Sequence, residues 1–142
     1  MDNNTICIGV MGYSGQKFDI EKARVMLNQA FDLFAFQHKG SQFAIVSGYT
    51  NLGIPAIAYE IAVERGWTTV GVACAKAKEY DVFPCDEVCI VGENWGDESP
   101  TFMNMCQVFV RIGGGKQSRR EIAQAKADGK FVYEFDLEAL PA

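Results

Sequence analysis

The fold is decided by Val108-Phe109-Val110-Arg111-Ile112-Gly113-Gly114-Gly115-Lys116-Gln117-Ser118-Arg119-Arg120-Glu121-Ile122-Ala123. An apolar run leads into three successive glycines, and a stretch of helical composition follows, which predicts strand, glycine turn, helix. Glycine takes positive φ without steric penalty and carries no side chain to hold a ligand away from the backbone amides. A helix opening at Ser118 directs its unpaired N–H groups and the positive end of its dipole into that turn. The natural occupant of such a turn is an anion such as phosphate. A second reading fits the same residues. Ser118-Arg119-Arg120-Glu121 matches the capping box S-x-x-E, in which serine and glutamate satisfy backbone donors at a helix start. Glu121 therefore stands as either a structural cap or a ligand contact.

Upstream the same grammar repeats. Residues 5–11 form a near-continuous apolar run that ends in Gly12-Tyr13-Ser14-Gly15, as a buried parallel strand followed by a turn would. Asp19 is placed to cap the next helix, whose Ile20, Ala23, Leu27, Ala30, Phe31 and Phe34 recur at three and four residues. Residues 43–46 are a second buried strand, running into Ser47-Gly48-Tyr49-Thr50-Asn51-Leu52-Gly53-Ile54-Pro55 and a helix that ends at Arg65-Gly66. Gly53 either opens this turn to a ligand or permits tight packing of strand against helix. Residues 69–74 and 87–91 are strands three and four, joined by an irregular connection over 75–84. Ser99 as N-cap and Pro100 at the first helical position start a short helix reaching Met105. Residues 107–112 and 131–135 are strands five and six, the last helix ending near Asp128-Gly129.

Strands alternating with helices at this spacing predict one α/β domain over residues 1–142, with a doubly wound, mainly parallel sheet and helices on both faces. In such sheets the loops at the carboxyl ends of the strands gather into a ligand crevice. The candidate contacts fall in three of these turns: Gly12, Ser14 and Gly15 in the first, then Gly48, Thr50, Asn51 and Gly53 in the second. The third holds Gly113, Gly114, Gly115, Lys116, Gln117 and Ser118. With the turn over Gly92–Ser99 they converge at the carboxyl ends of the strands, which argues for a nucleotide-like small molecule. A fourth turn carries Glu93, Asp97 and Glu98, which fit magnesium or ribose hydroxyls, or equally a solvated loop with acidic partners for a helix dipole.

Composition narrows the partners. At 142 residues and 49% apolar content the chain can bury a core without disulfides or metal. A net charge of −5 argues against duplex nucleic acid, which needs a basic face, although a local turn can be positive on an acidic protein. No apolar run approaches the ~20 residues of a membrane span, and Met1-Asp2-Asn3-Asn4 lacks a basic leader. The expectation is a cytoplasmic protein without a membrane partner. Cysteines 7, 74, 85, 89 and 106 are irregularly spaced, and the one histidine, His38, lies in a polar linker. Neither a metal site, nor a cofactor, nor histidine-based catalysis is expected. Phe31, Phe34 and Phe36 are either an interface or core filling.

Three segments together carry a resemblance over nearly the whole chain. They are Ser47-Gly48-x-x-x-x-Gly53-Ile54-Pro55, Arg65-Gly66-Trp67-x-Thr69-Val70-Gly71-Val72, and Gly113-Gly114-Gly115-x-x-Ser118-x-x-Glu121. They resemble the LOG-like Rossmann proteins, a group that takes in cytokinin-activating phosphoribohydrolases, molybdenum cofactor carrier proteins and SLOG nucleotide-sensing domains. The resemblance implies a Rossmann-like sheet, a homo-oligomer, and a ligand phosphate on the third turn, with Gly48 to Gly53 facing the ribose or a second phosphate. In the P-G-G-x-G-T-x-x-E motif of the LOG enzymes the threonine position falls on Ser118 and the catalytic glutamate on Glu121. Gly113 replaces the proline and Gln117 the last glycine. The LOG enzymes also carry a catalytic arginine on the preceding helix, where residues 100–105 have none. Three functions follow: a nucleotide-binding sensor, carrier or sequestering protein; a nucleoside 5′-monophosphate phosphoribohydrolase using Glu121; or a carrier of a pterin-type molybdenum cofactor.

Overall fold

The computed structural model describes residues 4–141. The chain runs β1 (Thr5–Gly12), α1 (Ile20–Gln37), β2 (Gln42–Ser47), α2 (Gly53–Arg65) and β3 (Thr68–Ala73). A 3₁₀ turn (Ala75–Glu79) leads to β4 (Glu87–Ile90), α3 (Ser99–Met105), β5 (Val108–Ile112), α4 (Lys116–Ala127) and β6 (Phe131–Phe135). The six strands form one sheet in the order β4-β3-β2-β1-β5-β6, and every pairing is parallel.

Side chains alternate across each strand, so β1 sends Ile8 and Val10 to one face and Cys7 and Met11 to the other. On the first face α1 and α2 bury Leu27, Phe31, Phe34 and Ile57 against the sheet. On the second, α3 and α4 bury Phe102, Ile122 and Ala125. With both faces covered, the central strands are apolar throughout, which is why they read as unbroken runs. From β1 the chain winds outward to β4, and α3 then carries it back across the opposite face to β5 beside β1. Crossovers leave β1 and β5 in opposite directions, which opens a crevice above their carboxyl ends.

The expected caps of α1 and α2 form. The N–H of Lys22 donates to Asp19 Oδ1 at 3.1 Å, and Gly66 closes α2 at φ 73°. Two others do not. α4 begins at Lys116 with Gly115 as its N-cap and no side-chain cap bond, so the Ser118–Glu121 capping box is not made. Once the chain has left the positive-φ pair Gly113 and Gly114 nothing delays the helix, and Ser118 is buried within its first turn. Ser99 likewise lies inside α3 behind Glu98, because its hydroxyl donates to Glu121 Oε2 at 2.6 Å. The connection over 75–84 is more ordered than expected, holding the 3₁₀ turn and an antiparallel bridge between Thr50 and Val82. Phe31 and Phe34 are core, whereas Phe36 is 70% exposed with the Lys39 ammonium over its ring.

Candidate functional site

A pocket of about 550 Å³ opens above the carboxyl ends of β1 and β5. The loop after β1 supplies Tyr13, Ser14, Gly15 and Gln16 to one side, and the end of β2 supplies Ser47, Gly48 and Thr50. The first turn of α4 contributes Gly115 to Ser118, with Glu121 one turn further on. Trp95, Glu98 and Phe102 complete the lining.

Close backbone packing holds these loops together. A Cβ on Gly12 would lie 2.4 Å from the Ile112 carbonyl oxygen, so only glycine lets β1 and β5 end side by side here. Gly53, at φ +66°, brings α2 against the first loop, and the Ile54 N–H donates to the Tyr13 carbonyl at 2.7 Å. The Ser47 hydroxyl donates to the Val10 carbonyl at 2.7 Å. The buried Tyr59 hydroxyl sits 2.8 Å from the Gly48 carbonyl and 2.9 Å from that of Val70, tying the end of β2 to the middle of β3.

Four predicted contacts stand behind the pocket wall. Gly53 serves packing. The Asn51 N–H and side chain are drawn to Asp81. Gly113 donates its N–H to the Phe135 carbonyl at 2.9 Å and accepts from Arg111 at 2.7 Å, so it is engaged with the sheet edge. Gly114 makes room for the Ser118 side chain, 2.8 Å from where a Cβ would be. The remaining candidates of the three turns, and Glu121, do line the pocket. Glu98 of the fourth turn also lines the pocket, and so does Trp95, which sequence reasoning did not single out. The available signal was a tryptophan between Gly92 and Gly96 in a loop that follows a strand.

The charges of the lining are Lys116, Glu98 and Glu121. Lys116 stands exposed at the start of α4, where the first-turn N–H groups and the helix dipole favour an anion. Burial pushes the Glu121 carboxyl above its ordinary range, against the opposing pull of hydrogen bonds from Ser99 and Gln117. None of the three nearby arginines lines this pocket. Arg111 is 3% exposed and held by Glu134 at 2.9 Å and Asp136 at 3.0 Å. Arg119 faces a separate depression with Lys22 and Glu138. Arg120 lines a groove between α3 and α4 whose inner edge is Gln117 and Glu121. The carboxylates of the fourth turn bind their own loop: Asp97 Oδ2 accepts from the N–H groups of Glu93 and Asn94, both at 3.0 Å. Glu98 Oε2 accepts from Gly96 N–H at 2.9 Å. Among the described residues no cluster of histidine, cysteine or carboxylate side chains suits a metal ion, and no helix is long and apolar enough to cross a membrane.

No protein-family model matches the chain, and no curated protein matches it. Solved structures do. The molybdenum cofactor carrier protein of Chlamydomonas reinhardtii superposes with a TM-score of 0.70 at 24% identity, over 92% of this chain and 76% of that one. The molybdenum cofactor binding protein of Rippkaea orientalis superposes with a TM-score of 0.75 at 21% identity, over 95% of this chain and 78% of that one. The chain therefore has the Rossmann-like fold of these proteins, as the sequence resemblance implied.

Proposed function

We propose that this protein binds a phosphorylated, nucleotide-like small molecule and holds it intact, as a carrier, sensor or sequestering protein. One observation carries the reading. The uncapped first turn of α4, bearing Lys116, opens into the pocket above the β1/β5 boundary. A phosphate there meets backbone N–H groups, the helix dipole and an ammonium together. Lys116→Glu keeps the exposed surface but opposes an anion, and should weaken a nucleoside monophosphate by about 10-fold or more in calorimetric titration. Unchanged affinity would remove the phosphate from this turn.

Glu121 supports a second reading as a phosphoribohydrolase, because a half-buried carboxyl with a raised pKa lies in the pocket wall. Against it, the lining offers no arginine to balance the charge that develops as a glycosidic bond breaks. Incubation with nucleoside monophosphates decides between them: free base and ribose 5-phosphate, lost in Glu121→Gln, mark an enzyme, and intact nucleotide marks a binder. The fold shared with molybdenum cofactor carriers supports a third ligand, a pterin-type cofactor. Its mark would be a co-purifying chromophore in the absorption spectrum.

A further inference from the structure

Three aromatic side chains line the pocket, and two of them are already engaged. The Tyr13 hydroxyl donates to the Leu137 carbonyl at 2.8 Å, and its ring packs on Phe18 and over Gly113. Phe102 is buried edge-on against Phe109. Trp95 differs: it lines the pocket yet remains 51% exposed. Among the described residues its one ring neighbour is Tyr80, itself 56% exposed, at 5.8 Å between centroids and tilted by 58°. That contact supports the indole from the side without covering its face as a parallel stack would.

The loop that carries Trp95 is held rigid. Gly92 and Gly96 take positive φ on either side of it, and a Cβ on Gly92 would strike Asp97 at 2.3 Å. The Asp97 carboxylate ties the amides of Glu93 and Asn94, and the Gly92 carbonyl accepts from Ala75 N–H at 2.9 Å. A large apolar ring thus lines the same pocket as the anion-favouring turn while standing half in water. Glu98 and Glu121 line the same pocket and offer carboxyl oxygens as acceptors.

We infer that Trp95 is the ring-binding residue of this site: its indole face stacks on a planar heteroaromatic ring of the ligand whose phosphate lies on the first turn of α4. Tyr80 acts as a positioning residue that keeps the indole upright. The inference rests on the proposed binding of a phosphorylated molecule at this pocket, and it adds which part of that molecule Trp95 recognises.

The test compares ligands that differ only by the ring. Adenosine, guanosine, cytidine and uridine 5′-monophosphates and ribose 5-phosphate are titrated into wild type, Trp95→Ala and Trp95→Phe. Trp95 is exposed, so neither substitution threatens the fold. Wild type should bind its preferred nucleotide about 10-fold or more tightly than ribose 5-phosphate. Trp95→Ala should abolish that difference while leaving ribose 5-phosphate unchanged, and Trp95→Phe should restore most of it. Quenching of tryptophan emission should accompany nucleotide binding in wild type and vanish in Trp95→Phe. The other tryptophan, Trp67, packs between Phe31 and Phe43 away from the pocket and serves as an internal reference. Ribose 5-phosphate binding with no gain from any base, or an unaltered nucleotide preference in Trp95→Ala, overturns the role of Trp95 and leaves the phosphate turn standing. Failure of every ligand to bind wild type overturns both.

Discussion

Gly114 and Gly115 are adjacent and identical in type, yet the structure asks different things of them. Gly114 sits at φ +100°, and a Cβ there would lie 2.8 Å from the Ser118 side chain. Gly115 has φ −97°, and nothing lies within 4 Å of its would-be Cβ. Gly114→Ala should therefore lose about 2 kcal/mol of stability, from a strained backbone and a displaced Ser118. Gly115→Ala should lose less than about 1 kcal/mol, the cost of a poorer N-cap. Urea denaturation of the two variants checks the contrast, and equal losses would refute it. In the sequence the three glycines read as one turn that cradles an anion. The structure divides them: Gly113 serves the sheet edge and the Tyr13 ring, Gly114 serves Ser118, and Gly115 alone of the three lines the pocket. The role of Gly113 depends on Tyr13 and Phe135, distant in the chain, so local composition does not contain it. Trp95 escaped for the same reason. Its part in the pocket depends on the loop after β4 meeting the loops after β1 and β2.

Elements were legible where the signal was local and obscured where distant partners competed. Asp19 capped α1 as read, because its acceptor and the Lys22 donor are three residues apart. Ser99 and Ser118 did not cap as read, and Ser99 is engaged with Glu121, 22 residues away. The carboxyl end of α3 shows another long-range device. The Lys130 ammonium donates to the Met103 carbonyl at 2.6 Å and the Cys106 carbonyl at 2.9 Å, with the Phe109 ring 5.5 Å away. These bonds satisfy carbonyls that a helix terminus leaves open and place a cation at its negative end. α3 has only 7 residues, so it depends on such anchoring more than on its own propensity. Lys130→Met keeps the apolar stem and removes the donor, and should cost about 1–2 kcal/mol in chemical denaturation. Because Phe102 and Glu98 at the start of α3 line the pocket, the same variant should also broaden the ligand-induced change in Trp95 emission. A variant as stable as wild type would show that the end of α3 is held by other means.

At the scale of the whole molecule, the parallel sheet and the gathering of its loops followed from strand–helix alternation alone, whereas the strand order did not. That order emerges because α3 returns the chain across the second face, and the return leaves Arg111 of β5 facing Glu134 of β6. Two groups of ionisable side chains should then shape stability against pH with opposite slopes. Lys126, and after it Arg111, hold the Glu134 carboxyl below its ordinary range. A lowered folded value gives a contribution that is present at neutral pH and disappears as pH falls through that value. Glu121 runs the other way. Its folded value lies above the ordinary 4.5, so the folded state holds the proton more tightly than the unfolded chain does. Stability from this residue is full while both states are protonated, and declines as pH rises from about 4.5 through the folded value. Glu121→Gln keeps a carbonyl to accept from Ser99 and removes the titration. The stability difference, variant minus wild type, should therefore grow more positive as pH rises from roughly 4 to 8 and level off once Glu121 is fully ionised. Urea denaturation at a series of pH values measures it directly. A difference that stays flat across that range would mean that Glu121 ionises as freely in the fold as in the open chain. The pocket wall at the start of α4 would then be far wetter than its burial beside Ser99 and Gln117 requires.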